Sequence, residues 1–248
     1  MRAERDTDMV RARTLEHVYA VICAFREERR IAEVVEGARA RGLNVIVVDD
    51  GSEDATSRRA EEAGAEVIRF ESNRGKGAAL RAGFDRIRDA ECDAVITLDG
   101  DGQHDPGEIP LFLEAYRRTG IPALIGNRMA APGPMPLYRR TVNRFMSHSL
   151  RKTTGVYLPD PPCGFRFYRA DVLPYIQSED DRFGAEFEML LNMASRRIRM
   201  DNVRISSIYE GEPSRVRPVR DTLRFFSIVQ RHRRRQKGFA PGETLWSS

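Results

Sequence analysis

The sequence predicts an α/β fold in which a mostly parallel sheet is flanked by helices. Short apolar segments rich in β-branched residues alternate with segments of helical spacing from residue 17 to about residue 125. Clusters of polar residues follow directly after several of the apolar segments. In open parallel sheets ligands bind beyond the carboxyl ends of the strands, so these clusters predict a site at one edge of the sheet.

The predicted elements of the first part are regular. Predicted strands cover residues 17–24, 44–48, 66–70, 94–98 and 123–125. Helical spacing predicts helices at residues 31–40, 53–63, 78–88 and 106–118. Because each strand is followed by a helix, the crossovers favour a parallel sheet whose strands are buried on both faces.

The second part is less regular. A Pro/Gly-rich loop at 131–136 predicts a mobile segment, and residues 158–162 are expected to form a rigid loop that leads into 163–168. Helices are predicted at 138–152, 170–176, 184–195 and 221–235, with a strand at 203–209. We expect a disordered lead-in at 1–16, a main domain at 17–218, and a C-terminal amphipathic helix with a basic tail at 219–248.

Composition narrows the possible partners. The 248 residues carry a net charge of +4, a mild basic bias that suits a phosphate-bearing ligand or an anionic surface, and we expect no nucleic-acid partner. The cysteines Cys23, Cys92 and Cys163 show no metal-binding spacing and favour a reducing compartment. A charged beginning without a signal peptide, and no apolar run of membrane-spanning length, predict a cytoplasmic protein that meets a membrane only peripherally, on its cytoplasmic face.

The segment after the fourth predicted strand carries paired carboxylates. Asp99 and Asp101 lie two residues apart, and each is followed by a glycine. Side chains two apart in an extended chain point the same way, so both carboxylates can converge on one point. Oxygen ligands of this kind suit Mg²⁺ or Mn²⁺ with substrate phosphates. A polar turn in which an aspartate caps the next helix is the alternative.

Three further polar clusters follow strands, at 25–28, 49–52 and 73–76. Asp49 and Asp50 end a strand as the ribose-binding acid of dinucleotide folds does, but no Gly-x-Gly-x-x-Gly opens a helix here. Residues 73–77 are not a P-loop, because no Ser or Thr follows Lys76. Arginine side chains suit phosphate, and the candidate anion contacts are Arg128, Arg139, Arg140, Arg166, Arg215 and Arg217.

Several of these segments, taken in order, resemble one known family. They are Val-Val-Asp-Asp-Gly-Ser at 47–52, Asn-Arg-Gly-Lys-Gly at 73–77 and Leu-Asp-Gly-Asp-Gly-Gln-His-Asp-Pro at 98–106. Together they resemble the family 2 glycosyltransferases of the GT-A fold. Cys-Gly-Phe-Arg at 163–166 and Gly-Glu-x-Ser-Arg at 211–215 make the branch of dolichol-phosphate mannose synthases and polyprenyl-phosphate glycosyltransferases the closest match. The resemblance covers about residues 18–226 and makes 17–218 a GT-A catalytic domain.

The resemblance implies a role for each matching residue. Phe25, Glu27 and Asp50 hold the base and ribose, with Asp49 in support, and the implied nucleotide contacts also include Ala24, Lys76, Asp99 and Gly100. A Mg²⁺ or Mn²⁺ ion is held by Asp99, Asp101 and Gln103. Phosphate or acceptor contacts fall to Arg128, Arg139, Arg166 and Arg215. The implied catalytic set is Asp101, Arg128 and Asp160. The family's usual Pro-Ala-Tyr-Asn-Glu is Cys-Ala-Phe-Arg-Glu here, at 23–27, which removes a hydroxyl and an amide that bear on base specificity.

The implied activity is metal-dependent, inverting transfer of a sugar from GDP-mannose or a UDP-sugar to polyprenyl or dolichyl phosphate. A lipid phosphate is mostly ionised at neutral pH because its second pKa is about 6, so it needs no strong base. A hydroxyl acceptor requires one, and Asp160 is the candidate, with turn formation as its alternative role. The rival activities are transfer to a soluble saccharide hydroxyl, a sugar-phosphate nucleotidyltransferase and a non-catalytic binding module.

The predicted C-terminal helix offers a membrane contact. Its apolar residues precede a basic run at 231–237. Each basic residue near an anionic bilayer contributes about 1 kcal/mol, so the run would hold the domain beside its lipid. The alternative is a helix that packs on the core and carries a solvated basic tail.

Overall fold

The computed structural model describes residues 14–130, 135–182, 184–206, 208 and 227–232. Its centre is a 7-stranded sheet with the strand order β3-β2-β1-β4-β6-β5-β7. The strands are β1 Val18–Ala24, β2 Asn44–Asp49, β3 Glu66–Arg69, β4 Ala94–Asp99, β5 Ala123–Asn127, β6 Arg166–Arg169 and β7 Met200–Arg204. All neighbouring pairs are parallel except those that include β6, so the predicted mostly parallel α/β fold is confirmed.

Helices connect the strands and pack against the sheet. They are α1 Ile31–Arg39, α2 Thr56–Glu62, α3 Lys76–Ile87, α4 Ile109–Thr119, α5 Leu137–Thr154, α6 Leu173–Ile176 and α7 Ala185–Ser195. Apolar spacing explains them: the buried residues of α1, for example, lie three or four apart and form one face. A 3₁₀ turn at Pro106–Glu108 precedes α4, where the sequence predicted one continuous helix.

The central strands are buried because helices cover them. In β2 every residue after Asn44 is buried, and β1 and β4 are similarly enclosed. The apolar runs of these strands therefore build the core of the domain, as expected for parallel strands. Their carboxyl ends all point toward the same edge of the sheet.

The strand β6 was missed by the sequence prediction, which assigned no element to residues 163–168. It lies antiparallel between β4 and β5. Its sequence, Arg-Phe-Tyr-Arg, carries charge at both ends and lacks the apolar run of a central strand. Arg166 is nevertheless buried, because its guanidinium finds partners inside the domain. The last strand was also misplaced: β7 ends at Arg204, whereas the prediction ran from 203 to 209.

The C-terminal segment departs from its predicted role. Residues 227–232 are helical, and Ile228 and Val229 are buried in the hydrophobic core. The guanidinium of Arg231 lies 3.7 Å from the buried carboxylate of Glu188. The expectation that these apolar residues face a bilayer is therefore wrong for this turn, which packs on the core instead. Residues 1–13, 209–226, 233–248 and the predicted mobile loop at 131–134 lie outside the described residues.

Membrane spans were sought among the helices of the described residues. None of those helices combines the length and the apolar character needed to cross a membrane.

Candidate active site

The polar clusters predicted from sequence meet at one edge of the sheet. β1 pairs with β2 on one side and with β4 on the other. In that register Ala24 lies opposite Asp49, and Cys23 lies opposite Asp99. The three strands therefore end side by side and bring the carboxylates of two distant motifs to the same edge.

The two aspartates that end β2 have different surroundings. Asp49 is fully buried and accepts hydrogen bonds from the Ser52 N–H at 2.9 Å and from the Ser57 hydroxyl. It therefore fixes the turn, which agrees with the supporting role expected for it. Asp50 accepts from the Arg74 N–H at 2.7 Å and the Gly75 N–H at 2.8 Å. Burial raises the pKa of Asp50, although these N–H donors oppose the shift.

The loop after β1 is fixed against the loop after β2. The Ala24 carbonyl accepts the Asp50 N–H at 2.8 Å. The Glu27 N–H donates to the Thr56 hydroxyl at 2.9 Å, and its side chain is buried. Arg26 has a left-handed φ of 57° and places its guanidinium 5.1 Å from the centre of the Phe25 ring. The loop is thus held in one conformation, with Phe25 partly exposed at the strand edge.

Lys76 begins α3 and enters an ion cluster with Asp99. Its ammonium contacts the Asp99 carboxylate and lies 2.9 Å from Glu186 Oε1. These carboxylates raise the pKa of Lys76 even though burial opposes the shift. The pKa of Asp99 falls to about 2: burial, the largest single influence, acts to raise it, and the nearby charges, that of Lys76 first, outweigh that influence. Asp99 is therefore a carboxylate across the neutral range.

Asp101 lies in the turn that follows β4. Gly100 is buried, and its N–H donates to the Cys23 carbonyl at 3.0 Å, so the turn lies against the end of β1. The Asp101 carboxylate is half-buried and accepts the Gln103 N–H at 3.0 Å. Within the described residues no group of three or more His, Cys, Asp or Glu side chains could hold a metal ion. The two carboxylates of Asp99 and Asp101 nevertheless fit Mg²⁺ or Mn²⁺, since Mg²⁺ is commonly held by only one or two carboxylates, together with substrate phosphates and water.

His104 is a buried residue of the site whose role the sequence did not indicate. Its Nδ1 accepts the Asp99 N–H at 3.3 Å, and its ring packs 5.5 Å from the Phe165 ring. Burial lowers the pKa of His104 to about 4, so the ring is neutral at pH 7. The imidazole therefore supports the end of β4 without adding a charge.

Arg128 follows β5 and forms a buried ion pair with Asp160. Its Nε and Nη2 lie 2.8 and 3.0 Å from the two carboxylate oxygens, and its N–H lies 3.1 Å from Oδ2. Asn143 of α5 adds a fourth donor at 2.7 Å. Both oxygens of Asp160 are thus engaged, and the side chain is fully buried. The arrangement opposes the predicted role of Asp160 as a general base and instead makes it a residue that positions Arg128.

Arg166 is the clearest correction among the predicted arginines. It is 1% exposed and donates to the carbonyls of Cys163 and Pro161, each at 2.7 Å, and of Glu186 at 2.9 Å. The Tyr168 hydroxyl lies 3.1 Å from its Nη1. A guanidinium saturated by interior acceptors is not placed to contact an acceptor phosphate. Arg166 therefore ties the 161–163 loop to α7.

The remaining predicted arginines lie toward the second half of the chain. Arg139 is half-buried on α5, and its Nε lies 3.4 Å from the Tyr138 hydroxyl. Arg215 and its Gly-Glu-x-Ser-Arg motif at 211–215 lie outside the described residues, as does Arg217. Glu186 and Asn143 join the site although the sequence did not single them out. The signal for Glu186 was the pair of acidic residues, Glu186 and Glu188, among the apolar residues that begin α7.

The chain matches the model of one family and several named proteins. The Glycosyl transferase family 2 model matches residues 19–176. An undecaprenyl-phosphate mannosyltransferase of Micrococcus luteus is 32% identical over 176 residues, which are 66% of this chain and 72% of the relative. A UDP-N-acetylglucosamine–dolichyl-phosphate N-acetylglucosaminyltransferase of Methanococcus voltae is 26% identical over 215 residues, which are 77% of this chain and 86% of the relative.

A solved structure shares the fold. Glucosyl-3-phosphoglycerate synthase of Mycobacterium tuberculosis, in complex with Mn²⁺, UDP and glucosyl-3-phosphoglycerate, superposes with a TM-score of 0.67 at 20% identity and covers 91% of this chain and 81% of its own. The family model spans the strands and loops that converge at the sheet edge, and the relatives extend the match further along the chain. The chain is therefore a member of glycosyltransferase family 2 with the GT-A fold, in the branch similar to polyprenyl-phosphate glycosyltransferases.

Proposed function

We propose that the protein transfers a sugar from a nucleoside-diphosphate sugar to a polyprenyl phosphate, with inversion at the anomeric carbon. The observation that carries the proposal is the meeting of Asp50, Asp99 and Asp101 at the ends of β2 and β4 in a family 2 domain. Its relatives named for dolichyl-phosphate and undecaprenyl-phosphate acceptors support the acceptor class.

The donor binds across the ends of β1, β2 and β4. Phe25, Glu27 and Asp50 surround the base and ribose, and Asp99 and Gly100 face the diphosphate. Asp101 and Gln103 offer oxygen ligands for Mg²⁺ or Mn²⁺, with Asp99 beside them. When bound, the metal neutralises the leaving nucleoside diphosphate. The Mn²⁺ and UDP in the complex of the structural relative agree with this assignment.

The acceptor phosphate binds near Arg128. The Asp160 carboxylate holds this guanidinium by two contacts, so its orientation is fixed before any ligand arrives. The Arg128 side chain is 12% exposed, which leaves part of its surface to a ligand. Arginine suits phosphate because its planar donors match the phosphate oxygens.

The state of Asp160 favours a phosphate acceptor over a hydroxyl. A hydroxyl acceptor needs a base to take its proton, and the candidate base is occupied by Arg128 and Asn143. A phosphate monoester is mostly ionised at pH 7, since its second pKa is about 6. Its oxygen attacks the anomeric carbon without a proton transfer to the protein.

The helix α5 provides a surface for an anionic membrane. Leu137, Tyr138 and Phe145 expose 76%, 47% and 41% of their surface. The helix carries five Lys or Arg residues and no Asp or Glu over Leu137–Thr154. Apolar and basic side chains on one exposed helix suit the boundary of an anionic bilayer. Asn143 on the same helix contacts Asp160, which would bring Arg128 close to the lipid.

A transfer assay with lipid extraction tests the proposal. The protein is incubated with polyprenyl phosphate, Mn²⁺ or Mg²⁺, and radiolabelled GDP-mannose, UDP-glucose or UDP-N-acetylglucosamine in parallel reactions. We expect label in the organic phase with one of these donors and none when EDTA replaces the metal. An acid-labile lipid product identifies the phosphodiester.

Three outcomes would contradict parts of the proposal. Label that enters only a soluble saccharide would replace the lipid acceptor with a hydroxyl acceptor. Release of inorganic pyrophosphate from a sugar 1-phosphate and a nucleoside triphosphate would favour a nucleotidyltransferase instead. Equal transfer in EDTA would remove the metal from the account.

A further inference from the structure

A buried ion cluster beneath the donor loops joins three distant parts of the chain. The Lys76 ammonium contacts Asp99 at the end of β4 and Glu186 in the first turn of α7. The three side chains are 14%, 26% and 8% exposed. Arg128 also acts on Asp99 electrostatically, but the Asp160 carboxylate balances its charge.

The backbone around the cluster leaves no room for rearrangement. A Cβ on Gly164 would lie 2.7 Å from both Lys76 Nζ and Asp99 Oδ2, and 3.0 Å from Glu186 Oε1. A Cβ on Gly77 would overlap the Asp180 carbonyl and lie 2.7 Å from Ala185 Cβ, because α3 and α7 pack closely there. The positions of all three charged groups are therefore fixed by the fold.

The charges of the cluster do not cancel. One ammonium is shared by two carboxylates, so Lys76 does not neutralise Asp99 alone. The Arg166 guanidinium also acts on Glu186 electrostatically, but its hydrogen bonds go to backbone carbonyls and the Tyr168 hydroxyl. Without Glu186, Lys76 would neutralise Asp99 alone, and the attraction of the cluster for a cation would fall. A nucleoside diphosphate is itself an anion, so the same change would weaken the repulsion that it meets at this edge.

We propose that Glu186 is a positioning residue of the donor site: by sharing Lys76, it keeps the negative charge of Asp99 available to a divalent cation. The inference rests on the proposed donor site. It assigns a function to α7, a helix that follows none of the strand ends that carry the predicted motifs. Glu186 acts through Lys76 and need not touch the nucleotide.

Nucleotide binding with and without metal tests this role. The dissociation constants of UDP and GDP are measured by calorimetry in Mn²⁺ and in EDTA, for the wild type and for Glu186→Gln. In Mn²⁺ we expect the variant to bind the preferred nucleotide about tenfold more weakly, because Lys76 then neutralises Asp99 alone. In EDTA we expect no loss of affinity. A merely structural role would weaken binding equally in both conditions.

A double-mutant cycle distinguishes a specific effect of Glu186 on nucleotide binding from a general loss of structure. Since Glu186 acts through Lys76, Glu186→Gln should cost no further affinity in a Lys76→Met background. If Glu186→Gln alone folds poorly, the comparison of Lys76→Met with the double variant can still be made, because the double variant lacks both the Lys76 and the Glu186 charge. Glu114→Gln, on the exposed face of α4, is the matched control and should bind as the wild type does.

The outcomes separate this inference from the proposed function. A Glu186→Gln variant with unchanged affinity in Mn²⁺, or with an equal loss in EDTA, would overturn the inference alone. A further loss in the Lys76→Met background would do the same. A folded wild type that binds neither UDP nor GDP in Mn²⁺ would overturn the proposed donor site, and this inference with it.

Discussion

The two sides of the site are held in different ways. The loops of the proposed donor side follow the strands of the sheet, at 25–28, 49–52, 73–76 and 99–104. Asp49 and Asp101 accept N–H groups close along the chain, from Ser52 and Gln103, and Asp50 joins two neighbouring loops. The proposed acceptor side around Arg128 depends on contacts between separate segments, since Asp160 and Asn143 lie elsewhere in the chain.

This difference explains where a sequence pattern is informative. On the donor side a motif and the strand that positions it are adjacent, so a motif predicts both identity and place. On the acceptor side an arginine has the same local appearance whether it faces a ligand or the interior. Variants on the two sides should therefore fail differently: donor variants lose chemistry, and acceptor-side variants lose stability as well.

The largest expected effect is on the donor side. Asp101→Ala should lower transfer by at least about a thousandfold, because a metal ion supplies several kcal/mol of transition-state stabilisation. The melting temperature should change little, since Asp101 is half-buried. Steady-state kinetics of sugar transfer measure the loss of activity, and thermal unfolding measures the melting temperature. Normal turnover in this variant would remove Asp101 from the metal site.

Asp160→Asn should destabilise the fold as well as reduce transfer. Breaking a buried ion pair costs about 3 to 5 kcal/mol, because the remaining charge stays buried. Urea unfolding of Asp160→Asn measures the loss in the free energy of unfolding, with Asp171→Asn as the control. Asp171 forms a similar two-contact pair with Arg169 but is exposed, so its loss should cost less than about 1 kcal/mol. A fully stable Asp160→Asn that still binds a hydroxyl acceptor but no longer transfers sugar to it would restore the general base.

Arg166→Met should act on stability alone. The change leaves three carbonyls and the Tyr168 hydroxyl without their donor, at about 1 kcal/mol each, or roughly 3 to 4 kcal/mol in all. Equilibrium unfolding gives the loss, and the KM for polyprenyl phosphate should remain near the wild-type value. A raised KM in a stable variant would return Arg166 to the acceptor site.

The smallest effect concerns pH. His104 has its pKa lowered from 6.5 to about 4 by burial, so the unfolded chain binds more protons than the folded one between these values. Its stabilising effect is complete above pH 6.5 and is lost as the pH falls toward 4, by about 2 kcal/mol from pH 6.5 to pH 5. Unfolding in EDTA at several pH values checks this, and His104→Gln should flatten the dependence. An equally steep curve in that variant would assign the effect to other groups.

Much of the fold was predictable because its strands are apolar and short. The order of strands and helices through residue 127 followed from alternation, with errors of a few residues at the ends. The strand β6 escaped prediction because its charged ends hide a buried Arg166. Such a strand is specified by partners on β4 and β5 and not by its own pattern.

The residues of the candidate site also differ in how far the sequence predicted them. The convergence of Asp50 and Asp99 followed from their positions after parallel strands. The contribution of Glu186 did not, because the contact with Lys76 depends on the packing of α7 against α3. Asp160 was singled out as a base, a role that its contacts oppose, and its pairing with Arg128 could not be identified from a sequence separation that carries no periodicity. The burial of Ile228 likewise depends on a long-range contact.

A crystal structure with Mn²⁺ and the nucleoside diphosphate that calorimetry selects would test the proposed donor site. We predict the metal at Asp101, the diphosphate beside Asp99 and Gly100, and the nucleoside between Phe25 and Asp50. A nucleotide bound away from the ends of β1, β2 and β4, or a metal held without Asp101, would contradict it.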